Sequence, residues 1–324
     1  MHRRQFIQRS GLGLLASQLP HWSFAADSPL QTVWGAPVAP SVLLGVAARQ
    51  GALHRKHPYS VKIWKTPDQL RAGLANGSMP VTMVPSYVGA NVANRGQDVV
   101  LLNIMTFGLL QMVARDMPMN NLGELEGKSL VMPFKNDMPD LVLQILCKRA
   151  GVDFDKITVQ YVATPPEALT LFLKNRADYA FLPEPLTSVA IMKGKQSGQN
   201  VVRVLDFQQE WGRIMNGPSR IPQAGMLIDR AFYAEHQTII DQLHEDIASA
   251  VVWTQENPQS AAEIASAYLP VPKPILSTAL PHANLTATRS QDISEEIMLF
   301  FEEMYALNPK ILGGKMPSDT LFHL

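Results

Sequence analysis

The chain has 324 residues, 46% hydrophobic and 17% charged, with 28 Lys+Arg balanced by 28 Asp+Glu. These are globular proportions, enough for about two domains with buried cores. A formal charge of zero gives no electrostatic case for a nucleic-acid or anionic-membrane partner.

Residues 1–25, "MHRRQFIQRSGLGLLASQLPHWSFA", carry Arg3, Arg4 and Arg9 and no acid, then a short apolar stretch, and end in Ser23-Phe24-Ala25. That layout predicts an export signal, with an apolar stretch too short to span a bilayer. Within it, "RRQFIQ" (3–8) resembles the twin-arginine signal that addresses folded proteins to the bacterial periplasm; an ordinary secretory signal is the alternative. Cleavage near Ala25 leaves 25 Lys+Arg against 28 Asp+Glu, a mildly acidic mature protein.

The next elements form an internal repeat. Residues 61–104 and 159–206 each read as a short strand, a Thr-Pro turn, an amphipathic helix, a strand ending in Pro, a second helix and an apolar strand. Val61 pairs with Val159, Pro67 with Pro166 and Pro85 with Pro183. Upstream, "WGAPVAPSVLLGVAARQGA" (34–52) parallels "LVMPFKNDMPDLVLQILCKRAGV" (130–152) at an offset near 100 residues. Two similar β-α-β-α-β units follow, with parallel strands and right-handed crossovers. Prolines 40, 67, 139 and 166 open the helices, as position N1 prefers. In such units the loops at the carboxyl ends of the strands make a rim, and two facing rims enclose a cleft. Cys147, the single cysteine, sits on an amphipathic pattern and reads as a buried core residue that forms no intramolecular disulfide. From Gln223 the pattern changes to a strand and two helices, a Pro-rich break (269–285), and a strongly amphipathic helix over 289–307 expected to pack around the first unit.

The signal, the two α/β units and the helical return resemble the type II periplasmic substrate-binding proteins of ABC importers. Within them the resemblance is to the branch that binds sulfonates, taurine, nitrate and thiamine precursors (the NMT1/THI5-like or SsuA-like proteins). "NNLGELEGKSLVMP" (120–133) and "AGVDFDKITVQYVATPPEALTLFLKNRADYAFLPEP" (150–185) carry it. It implies a two-lobe clamp that closes on a small solute by hinge motion and delivers it to a membrane permease with its ATPase. The first lobe would hold 26–113 plus 223–324 and the second 114–222, with hinge strands in 112–120 and 216–225. A monomer with no cofactor, no metal and no catalytic residue is expected.

The resemblance also places the ligand loops on the first turn after each strand. Pro37 and Ser41 lie in the 36–41 loop, and Ser41 and Ser86 offer hydroxyl donors. Tyr87, Phe107 and Phe134 can stack on a flat ligand, although Tyr87 and Phe107 serve equally well as core. Asn136 both donates and accepts. Asp137 or Glu184 can pair with a cationic group, while Glu184 is equally suited to an N-cap or a hinge salt bridge. Asp140, just after Pro139, is explained by the helix dipole alone. A rim with Lys135 against Asp137 and Glu184 argues for a neutral, zwitterionic or heteroaromatic ligand over a dianion.

Two other functions are compatible with this architecture. The pyrimidine synthase on this fold uses a Cys-rich motif that one cysteine cannot supply, and the menaquinone-pathway dehydratases need an acid–base pair for which only Asp137 and Glu184 are candidates. A periplasmic sensor docking on a receptor would use the same clamp. His54 and His57 form an H-x-x-H pair with no further metal ligands nearby.

Overall fold

The computed structural model describes residues 28–323; the export-signal segment lies outside the described residues. The first unit runs through β1 (Thr32–Gly35), α1 (Val42–Gln50), α2 (Leu53–Lys56), β2 (Ser60–Ile63), α3 (Pro67–Ala75), β3 (Val81–Pro85), α4 (Ser86–Asn94), β4 (Val99–Leu101) and β5 (Asn103–Thr106). The second contains β6 (Leu110–Arg115), β7 (Ser129–Pro133), α5 (Met138–Ala150), β8 (Thr158–Val162), α6 (Pro165–Leu173), β9 (Tyr179–Pro183), α7 (Leu186–Gln196), β10 (Val201–Asp206) and α8 (Phe207–Met215). The return adds β11 (Ala224–Asp229), α9 (Arg230–Glu256), α10 (Pro258–Ala265), α11 (Lys273–Ala279), β12 (Leu285–Arg289) and α12 (Ser294–Leu307).

The repeat is visible down to its helix caps. In "TPDQ", Thr66 Oγ1 accepts from the Gln69 amide (3.2 Å), and Gln69 Oε1 accepts from the Lys65 amide (2.7 Å). In "TPPE", Thr164 Oγ1 accepts from the Glu167 amide (3.4 Å), and Glu167 Oε2 accepts from the Ala163 amide (3.1 Å). Both are variants of the capping box, which satisfies the free amides of a helix start reciprocally. They also correct the alignment: Pro67, at N1 of α3, corresponds to Pro165 and not to Pro166.

The two sheets share one strand order. The second runs β10-β6-β9-β7-β8, and the first runs β12-β5-β11-β3-β1-β2 with β4 also paired to β11. Thus β11 stands where β6 stands, β3 where β9 stands, and β1-β2 where β7-β8 stand. The β1–β2, β1–β3, β7–β8 and β7–β9 pairs are parallel, as the alternating pattern predicts. By contrast, β6 and β11 are antiparallel to their neighbours, because each enters its sheet from the opposite unit.

This moves the expected boundary. β6 already pairs with β9 from Leu110, so the chain changes sheets at 107–109 and not within 112–120. The second change falls in 216–223, inside the expected stretch. Side chains tie down the first crossing: the Gly108 amide donates to Thr106 Oγ1 (3.0 Å), the Leu109 amide to Gln223 Oε1 (2.9 Å), and Asn284 Nδ2 to the Gly108 carbonyl (2.8 Å). Gly108 has φ +117°, and a Cβ there would lie 2.4 Å from Gln208 Cγ. Only glycine fits both constraints.

The return is not confined to the first unit. α12 packs on α5, and its Phe300 ring meets Trp211 of α8 edge-to-face at 5.5 Å. α11 packs on α7, and its Ile275 joins Val131, Phe172 and Ala180 in the core on the other face of the second sheet. The second sheet is therefore held on both faces by the C-terminal segment, because its two apolar faces need more cover than α5–α8 provide.

A buried polar pair within the first unit sets an acid limit on stability. Asn103 Oδ1 accepts from the Met226 amide (3.1 Å), which turns Asn103 Nδ2 toward His244 Nδ1 at 3.0 Å. An amide donor requires an unprotonated Nδ1, so protonating that nitrogen would set donor against donor. Burial, with Arg289 nearby, pushes His244 down to about 4, despite Asp241 and Asp292 in its surroundings. Below its ordinary value the unfolded chain takes up a proton that the native state refuses, so stability falls as pH drops from about 6.5 to about 4. Urea unfolding between pH 7 and 4 should show a loss of up to about 3 kcal/mol from this group, and His244→Gln should flatten that slope.

Candidate functional site

The rims of both units meet around the loop that joins β7 to α5. Phe134 and Asn136 occupy left-handed backbone conformations, φ +64° and +60°. Asn tolerates this region, whereas for Phe it costs roughly 1–2 kcal/mol. The surroundings hold the loop there. The Phe134 amide donates to the Val162 carbonyl (3.1 Å), and the Asp137 amide donates to the Phe134 carbonyl (3.1 Å). The Asn136 amide donates to Asp140 Oδ2 (2.7 Å), and Tyr161 Oη donates to Asp140 Oδ1 (2.8 Å). Asp140 is fully buried. Its role is to lock the loop's backbone, which helix-dipole complementarity alone does not describe. Lys135 projects outward, its ammonium 5.3 Å from the Tyr161 ring centre.

Asp137 is the N-cap of α5 and accepts from the Met138 amide (2.7 Å). The helix mouth is thus occupied by the chain's own carboxylate. Beside it stands Tyr87 of the first unit, in the first turn of α4. Burial, together with the Asp137 carboxylate beside it, holds the Tyr87 phenol well above its ordinary value, with Arg71 opposing. A second link to this loop runs from Asn308 Nδ2, just past α12, to the Asn136 carbonyl (3.3 Å).

The other expected contacts divide. Phe134, Asn136, Asp137 and Tyr87 are brought together. Pro37 is exposed on the loop after β1, and Phe107 is half-buried at the crossing with the Arg220 guanidinium 4.6 Å from its ring centre. Three expectations need correction. The Ser41 hydroxyl is fully buried and donates to the Ala36 carbonyl (2.6 Å), closing its own loop. The Ser86 hydroxyl is equally buried and donates to the Pro222 carbonyl (2.6 Å), tying α4 to the second crossing. A hydroxyl has one hydrogen, so neither is free to donate. Glu184 is fully buried, paired with Arg203, and accepts from the Ser188 amide (3.2 Å). Both alternatives to a ligand contact are realised: an ion pair, within the second unit and not at a crossing, and a side-chain acceptor for an amide of the first turn of α7.

Sequence reasoning missed Arg71, Arg220, Tyr161 and Asn308. Tyr161 follows β7 in the sheet but 28 residues later in the chain, and its register partner is Met132. Asn308 reaches the loop only because α12 crosses onto α5. Neither relation leaves a local pattern. Among the described residues no group of three or more His, Cys, Asp or Glu could hold a metal, and no helix is long and apolar enough to cross a membrane.

No family model matches the sequence, and neither does any curated protein. Solved structures do. An ABC transporter protein from Parabacteroides distasonis is 15% identical over 91% of this chain and 99% of its own, with a TM-score of 0.78. The periplasmic aliphatic sulphonate binding protein SsuA from Escherichia coli is 16% identical over 91% of both chains, with a TM-score of 0.70. The periplasmic nitrate-binding protein NrtA from Synechocystis PCC 6803 is 13% identical over 78% of this chain and 69% of its own, with a TM-score of 0.61. The chain therefore has the two-unit α/β fold of these binding proteins, the type II periplasmic binding protein fold.

The loop's dependence on Asp140 gives a measurable expectation. Asp140→Ala leaves two donors without a partner and should cost about 2–4 kcal/mol in urea unfolding, against about 1 kcal/mol for Tyr161→Phe, which removes a single hydrogen bond.

Proposed function

We propose that the chain is the solute-binding component of an ABC-type import system in the periplasm, clamping a small organic molecule between two lobes and delivering it to a membrane permease. In this reading the lobes divide where the chain changes sheets, at 107–109 and again in 216–223. The observation that carries the reading is the meeting of the two rims: Tyr87 of one unit faces Asp137 of the other, beside a loop held in a strained shape. Strained backbone persists where surrounding structure enforces it, and it clusters at ligand clamps. The shared fold of the sulfonate-binding and nitrate-binding proteins supports the same role.

The charge pattern favours a zwitterionic or neutral ligand. Asp137 fills the amide-rich mouth of α5, and Asp206 caps α8 by accepting from the Gln208 and Gln209 amides (2.9 and 3.1 Å). An anion is refused at both places. The starts of α1 and α4 have no side-chain cap. A ligand with a negative end toward these helix starts and a cationic or N–H donor group toward Asp137 satisfies both walls. Pairing with Arg203 removes Glu184 from this balance.

Native mass spectrometry of the protein purified from its own periplasm should show an intact carried solute. A chemically transformed one would establish an enzyme instead. In thermal-shift measurements zwitterions or heteroaromatics should raise the melting temperature, and Asp137→Asn should weaken that binding about tenfold or more without unfolding the chain. A rise with alkanesulfonate alone would overturn the ligand class.

A further inference from the structure

The zero net charge of the whole chain conceals a segregation. Residues 28–97 contain seven Lys+Arg and one acid, Asp68, whereas residues 98–324 contain 18 Lys+Arg against 26 Asp+Glu. Asp68 is already paired with Arg71 at 3.1 Å. The positive charge concentrates in "RQGALHRKHPYSVKIWK" (49–65), which holds Arg49, Arg55, Lys56, Lys62 and Lys65 and no acid. All five are exposed, and among the described residues none forms an ion pair.

The fold gathers them along one edge. β2 is the terminal strand of the first sheet, and α1 packs on both α2 and β2. Arg49 ends α1, Arg55 and Lys56 lie on α2, and Lys62 and Lys65 lie on and just after β2. The acid packed beneath this edge is no counter-charge at the surface. Asp246 of α9 is buried, and its carboxylate accepts from the amides of Ala52 and Leu53 (3.0 and 2.7 Å) and from Gln242 Nε2 (3.0 Å).

Protection of a bare sheet edge explains Lys62, since an edge lysine discourages strand pairing. It does not explain Arg49, Arg55 and Lys56, which are off the strand. Nor does the edge suit a protein partner. Protein interfaces are anchored by aromatic and apolar side chains and are depleted in lysine. Here Leu53, Tyr59 and Trp64 are buried and Trp34, Val61 and Ile63 are half-buried, Trp34 with the Lys62 ammonium 5.8 Å from its ring centre, so long cationic side chains dominate the exposed face. Such a face suits a fluid layer of negative charge that needs no shape complementarity.

We propose that this edge of the first sheet binds the anionic headgroups of a phospholipid bilayer, resting on the surface without insertion. The inference is independent of the solute reading. Arg49, Arg55 and Lys56 lie where α1 has run back to the start of β2, at the opposite end of the strands from the cleft rims.

The test is co-sedimentation of the full chain with phosphatidylcholine vesicles, with and without about one-third phosphatidylglycerol. At low ionic strength the chain should bind the anionic vesicles, ignore the neutral ones, and be released as salt shortens the screening length. The triple variant R49Q/R55Q/K56Q should bind about 100-fold more weakly, taking each basic side chain as worth roughly fivefold. The variant retains the N-terminal arginines, so the difference reports this edge alone. K193Q/K195Q, on α7, should bind as the parent does, and circular dichroism should show all three proteins folded. Equal binding to neutral vesicles, no binding to anionic ones, or undiminished binding by the triple variant would overturn the proposal. Salt-sensitive retention on immobilised polyglutamate without vesicle binding would replace it with an acidic protein partner.

Discussion

The amides of residues 107–109 belong to no sheet, and everything in the architecture depends on how they are satisfied. A chain that leaves one sheet for another must pass through backbone groups that no ladder can pair, and a buried unpaired group is costly. Here Thr106, Gln223 and Asn284 supply the missing partners, drawn from the first sheet's own strand, the second crossing and the C-terminal return. The crossing is therefore completed by segments that arrive more than a hundred residues later. Only when 223 and 284 are in place does β6 have a fixed start from which to pair with β9 and β10.

That dependence explains why the two units are alike in strand order yet inseparable. Each sheet borrows its antiparallel strand from chain that enters from the other side, and α11 and α12 then cover the second sheet's two faces. Any movement of one unit against the other would have to carry the α11–α7 and α12–α5 contacts along or slide them, which favours small shear at packed helices over a wide hinge. Asn308 Nδ2 donates to the Asn136 carbonyl from just past the end of α12, so the C-terminal return is hydrogen-bonded to the β7–α5 loop.

Much of this fold is legible in the sequence, for reasons that are local. Thr-Pro followed two residues later by Gln or Glu specifies a helix start by itself, and the structure shows both caps formed. The shared order of strands and helices follows from periodicity in the same way. The crossing is harder to read because the run from Val99 to Ala114 is apolar on both sides of it, and both sheets demand buried strands. One glycine in that run, Gly108, marks the break, and its positive φ is apparent only once Gln208 is seen against it. The site follows the same division. Phe134, Asn136, Asp137 and Tyr87 are brought together, each placed in the first turn after a strand. The hydroxyls of Ser41 and Ser86 and the carboxylate of Glu184 look identical to ligand contacts in sequence, because their partners are two backbone carbonyls and an arginine 19 residues away.

Charge shows the limit of composition most clearly. A net value of zero is correct and uninformative, because the sum discards position. Placed on the fold, the acids and bases do three separate things. Glu184 with Arg203, and Asp246 with the amides of α2, are buried and satisfied, so they contribute to shape and not to recognition. Asp137 sits at a helix mouth where it both caps α5 and faces Tyr87, so its charge lies between the two units. The cations of residues 49–65 are exposed and form no ion pair among the described residues, so only a distant or external negative charge can complete them. Screening decides which of these groups act at a distance: beyond about 8 Å at physiological ionic strength an exposed charge is felt weakly, so the basic edge can act only on a surface that it touches.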